Sequence, residues 1–80
     1  MENKIAVVAI IISDFNAVEK VNSILHDNRD FIIGRLGVPY KERGLSVISI
    51  VIDASQEVIN SLSGKLGMIK GVSSKVLTTK

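Results

Sequence analysis

An α+β fold of βαββαβ order is what this 80-residue sequence predicts: a four-stranded antiparallel sheet with two helices on one face. Three observations predict it. Ile5 to Ile12 and Leu45 to Ile52 are nearly continuous β-branched apolar runs about eight residues long, the pattern of strands buried on both faces. Each run is followed by apolar residues at helical spacing. An offset of forty residues pairs Ile5 with Leu45, Val7 with Val47, Val8 with Ile48, Ile10 with Ile50, Ile11 with Val51, Ile12 with Ile52 and Val18 with Val58, so both halves open on a strand and then a helix.

Ile5 to Ile12 is the first strand; it is too short to span a bilayer, and it ends at Ser13-Asp14 without a cleavage pattern of small residues. Ala17, Val18, Val21, Ile24 and Leu25 form the apolar stripe of helix one, with Asn16 as N-cap and Glu19 as its N3 partner. Phe31 to Gly37, broken by Gly34 and Arg35, reads as an edge strand. Residues 38–44 are its hairpin loop to the second apolar strand. Helix two follows Ser55 through Val58, Ile59, Leu62 and Leu66, with Gly67 at the position of a left-handed C-terminal cap. Val72 to Thr79, carrying Ser73, Ser74 and Lys75, is the other edge. With the apolar strands inside, the order is 4-1-3-2, the ferredoxin-like arrangement, in one domain over residues 1–80.

Two helices cover only one face of such a sheet. Ile5, Val7, Ala9 and Ile11 alternate with Ala6, Val8, Ile10 and Ile12, and Val47 and Val51 with Ile48, Ile50 and Ile52, so either choice leaves an apolar stripe open. Small chains without disulfides or metals often gain stability by association, and self-association through this face, as a dimer or tetramer, is the expectation.

The composition excludes chemistry more readily than it assigns it. With no cysteine there is no disulfide, thiolate nucleophile, iron–sulfur site or thiolate-bound metal, and the chain suits a reducing cytoplasm. The two apolar strands carry no aromatic residue, against base stacking of the RNA-recognition kind, because Phe15, Phe31 and Tyr40 all lie outside them. A net charge of +2 does not call for nucleic acid, although Lys65, Lys70, Lys75 and Lys80 all follow the last acid, Glu57. His26 is the sole histidine, at the end of helix one, where a cation suits the helix dipole. Asp14 and Asp53 follow the two central strands and are expected at the same end of the sheet, either as an acid–base pair or, more simply, as helix caps. No catalytic residue, metal site or cofactor is expected.

Two strings remain: Gly34-Arg35-Leu36-Gly37-Val38-Pro39-Tyr40, running on into Glu42-Arg43-Gly44-Leu45-Ser46-Val47-Ile48-Ser49, and Ser63-Gly64-Lys65-Leu66-Gly67, leading to Gly71-Val72. Local geometry, a bulge and a helix end, accounts for them; a close backbone approach is the alternative. Through these strings nearly the whole chain resembles the iron-only hydrogenase system regulators, small ACT-like proteins. The resemblance implies an ACT-type fold, an oligomer, and a regulatory role in maturation or expression of that hydrogenase system. It also implies a small effector, such as an amino acid, at a subunit interface near the first strand–helix loop. By position the ligand-binding residues are then Asp14, Phe15 and Asn16, with Arg35 and Gly37 as neighbours. The fold is also similar to the C-terminal domain of the nickel-responsive repressor, whose several histidines and cysteine this chain lacks. No segment is left over for a DNA-binding arm, so transcriptional regulation is expected to run through a ligand or a protein partner, with neither nucleic acid nor membrane bound directly.

Overall fold

A computed structural model describes residues 2–79; Met1 and Lys80, the latter one of the four C-terminal lysines, lie outside them. The elements run β1 (Asn3–Ile12), α1 (Val18–Asp27), β2 (Ile32–Tyr40), β3 (Leu45–Ser55), α2 (Gln56–Gly67) and β4 (Val72–Thr78). Single 3-10 turns at Phe15–Ala17, Arg29–Phe31 and Lys41–Arg43 link three of the junctions. The sheet order is β2-β3-β1-β4, which is 4-1-3-2 read from the other edge, and every pairing is antiparallel.

Register decides which side chains meet. Directly paired residues face the same way, and along each strand alternate residues point to opposite faces. Ala6, Val8, Ile10 and Ile12 of β1 and Ile48, Ile50, Ile52 and Ala54 of β3 turn towards the helices and are buried. They meet Ala17 from the turn before α1, Val21 and Leu25 of α1, and Ile59, Leu62 and Leu66 of α2, in one aliphatic core. The four long aliphatics among these helix residues leave 1% or less of their surface exposed, so truncating one opens a cavity that the close-packed sheet cannot collapse to fill.

Four expectations are corrected. Because β1 and β3 are antiparallel neighbours, Asp14 and Asp53 lie at opposite ends: Asp14 follows the Ile12 end of β1, while Asp53 pairs with Ile5 near the other. They form no pair. Helix one is opened by Asp14 and not by Asn16; the Asp14 Oδ1 accepts from the Asn16 amide at 2.9 Å, and the 3-10 turn this starts delays α1 to Val18, with Ala17 as an N-cap lacking a side-chain bond. An aspartate two residues upstream is the right length for such a turn. β2 runs on to Tyr40, leaving only Lys41 to Gly44 for the hairpin, because an edge strand tolerates Pro39 and Gly44 takes the left-handed conformation (φ 64°) that closes the short loop. At the end of α2, Gly67 stays helical and Met68 is right-handed; the left-handed residue is Gly71 (φ 84°), where the chain turns into β4. The N-cap of α2 is Ser55, its Oγ accepting from the Val58 amide at 3.3 Å.

Candidate functional site

The most extensive uncommitted feature is the sheet face turned away from the helices. Its paired rows read Leu77, Val7, Val51 and Gly34; then Lys75, Ala9, Ser49 and Leu36; then Ser73, Ile11, Val47 and Val38. Five of its large aliphatics, Ile5, Val7, Ile11, Val38 and Val47, are 37–47% exposed, and Leu36 and Leu77 reach 64% and 74%. Only Asp53 and Lys75 bring charge onto the described strand residues of this face. Four strands about 4.8 Å apart, with seven residues rising about 3.3 Å each, span on the order of 20 by 20 Å.

The strand–helix loop is held elsewhere. The Ser13 amide donates to the Gly71 carbonyl at 2.8 Å, and the Ser13 hydroxyl donates to the same oxygen at 3.2 Å. Asp14 packs so tightly on Gly71 that a Cβ there would lie 2.6 Å from the Asp14 Cβ. The loop is thus clasped to the β4 side of the sheet. Phe15 is 63% exposed and Asn16 is exposed beside it.

Arg35 stands on the opposite edge strand, in the row of Ile50 and Val8, on the helix-facing side. Its Nη2 donates to the Asn22 Oδ1 of α1 at 2.6 Å. Gly37, two residues on, faces the same side opposite Ile48, with nothing within 4 Å of where a Cβ would stand. Within one chain the five expected ligand residues therefore form two groups: Asp14, Phe15 and Asn16 by Gly71, and Arg35 and Gly37 across the sheet.

Arg35 instead borders a cleft of about 650 Å³ between α1 and β2, with Leu25 and Ile32 among its lining and Glu19, Asn22, His26 and Arg29 around it. The α1 residues here recur at spacings of three and four, one polar stripe along the helix. Arg29 lies just past the helix end, its Nη1 donating to the His26 carbonyl at 2.9 Å. Asn22, His26 and Arg29 were not singled out together from the sequence. The readable signal was that stripe set beside an arginine and a glycine at helix-facing positions of β2, where aliphatic residues would have closed the gap. Among the described residues no group of three His, Asp or Glu side chains gathers as a metal site, and no helix is long and apolar enough to cross a membrane.

Comparison with known proteins adds the lineage. Residues 4–76 match the TM1266-like family model, described as "Iron-only hydrogenase system regulator, putative". The chain belongs to this family. A solved structure of the uncharacterized protein TM1266 from Thermotoga maritima superposes on it with a TM-score of 0.94 at 32% identity, covering 99% of this chain and 100% of that one. A formyltetrahydrofolate deformylase from Pseudomonas putida KT2440 shares the fold alone, with a TM-score of 0.61 at 13% identity; the match takes in 92% of this chain and 28% of the enzyme. No curated protein matches. This chain and TM1266 thus share one fold over their whole length, and the strings that carried the resemblance fall on β2, its hairpin into β3, and the end of α2.

Proposed function

We propose that the chain is a non-catalytic regulatory domain of the iron-only hydrogenase system that works in the cytoplasm as a homo-oligomer joined through its open sheet face. The observation that carries the reading is that face: four strands wide, aliphatic in every row, and nearly free of charge. Its span, on the order of 400 Å² in projection, approaches the roughly 600 Å² per partner at which specific interfaces begin. Stacking a second copy there removes the apolar surface from water and keeps both helical layers outward. Ala9 and Ser49, small and side by side at the centre, let two sheets approach closely.

The regulatory half of the reading rests on family membership. A domain with one histidine and no cysteine has few groups for acid–base or covalent chemistry, which supports a role in binding. Its input is a small effector, and its output passes to a protein partner acting on expression or maturation of the hydrogenase.

Light scattering on the purified chain tests the association. A mass of two or four chains, reduced to one by Val7→Asp with the circular dichroism spectrum retained, is the expected result. A wild-type monomer, or a Val7→Asp oligomer of unchanged mass, contradicts self-association through this face; a monomer that recovers one stoichiometric partner is instead a protein-interaction module without a small ligand.

A further inference from the structure

We infer that the cleft between α1 and β2 binds a small organic anion, a carboxylate or phosphate head group on a short apolar body, with Arg35 as its principal anchor and Arg29 beside it. The cleft exists because β2 turns Arg35 and Gly37 towards the helical layer where the neighbouring strands supply Ile50, Ile48, Val8 and Ile10. α1 therefore does not close onto this edge of the sheet. It offers the gap a polar stripe instead.

Both guanidinium groups are held in place by neutral acceptors, Arg35 by the Asn22 side chain and Arg29 by the His26 carbonyl. Neither of these bonds uses more than one of the five N–H donors that a guanidinium carries, so each group retains donors in the fork geometry that suits a carboxylate or phosphate. Asn22 holds Arg35 before a ligand arrives, which lowers the ordering cost of binding. His26 adds a ring N–H donor from the same helix stripe, and Glu19 is the only acid of the lining. Half-buried Ile32 supplies apolar surface for a short hydrocarbon body, with Leu25 of the core closing the floor behind it. This combination of a few convergent polar groups over an apolar wall is how small-ligand sites are commonly built.

The site is separate from the β1–α1 loop, which is clasped to Gly71, and from the open face, which lies on the other side of the sheet. It gives the regulatory reading its input and rests on that reading only for its biological meaning.

Amide chemical-shift titration of the full chain tests it, at fixed ionic strength, with sodium phosphate, sodium butyrate, phenyl phosphate and, as a cationic control, butylammonium chloride. The expected result is saturable shifts at Asn22, His26, Arg29 and Arg35 with at least one of the three anions and none with butylammonium. Butyrate alone assigns a carboxylate, and the phosphates alone a phosphate. Arg35→Ala weakens that binding about tenfold or more, as loss of a charge-assisted fork does, and Arg29→Ala weakens it less. Both residues are exposed, and retained amide dispersion confirms folding. Shifts that do not saturate, that scatter away from the cleft, or that persist unchanged in Arg35→Ala overturn the inference. Light scattering on the same samples reads association independently, so the cleft can fail while the sheet interface stands, and the reverse.

Discussion

At Gly71 two constraints coincide: a φ of 84°, which side-chain-bearing residues rarely adopt, and an Asp14 Cβ 2.6 Å from where a Cβ would stand. Gly71→Ala has to absorb the backbone strain and push away the loop whose Ser13 amide donates to the Gly71 carbonyl. We expect a loss of about 1–3 kcal/mol in urea unfolding, with the β1–α1 amides losing exchange protection first. Ser55 is a milder case. Its Oγ caps α2 through the Val58 amide, and Ser55→Ala should cost about 1 kcal/mol. Caps were partly readable from sequence: a short acid after the first strand marked Asp14, whereas the same reasoning pointed to Asp53 for α2, where Ser55 caps instead. The N-cap of α1 was nevertheless assigned to Asn16 beside Asp14, because the rule that serves a helix starting at once does not see a 3-10 turn inserted ahead of it. Nor does a one-dimensional pattern announce that Asp14 and Gly71, fifty-seven residues apart in the chain, will touch.

Periodicity located the two central strands and both helices because each buries one or both faces against several neighbours, and burial is what imposes a period. Edge strands have fewer such obligations. β2 accordingly reached Tyr40, three residues beyond its expected end, and Arg35 could be recognised as unusual without its helix partner Asn22 being foreseen. Gly64 is informative in the same way. It lies inside α2 with nothing within 4 Å of where a Cβ would stand, so no backbone approach within this chain requires glycine. Gly64→Ala should stabilise the domain by up to about 1 kcal/mol, seen as a rise in Tm. A fall in Tm would instead point to a partner seated on that helix turn.

Over the whole molecule, the fold class and strand order were legible because doubly apolar strands must be central and charged or glycine-bearing ones peripheral. The antiparallel direction of β1 and β3 belongs to that same fold class, and placing Asp14 and Asp53 at one end of the sheet was inconsistent with it, because residues that follow antiparallel neighbours leave at opposite ends. The open face followed from counting helices against sheet faces, and the register then chose Ile5, Val7, Ala9 and Ile11 as its β1 row. Its central claim, that a second copy stacks there, is tested most directly by cross-linking. With no cysteine in the chain, Ser49→Cys places a single thiol at the middle of the face and Asn60→Cys places one on the exposed side of α2. A short bismaleimide should join Ser49→Cys copies rapidly and at dilution, with Asn60→Cys left single. Equal yields from both positions, or none from Ser49→Cys, would contradict the interface.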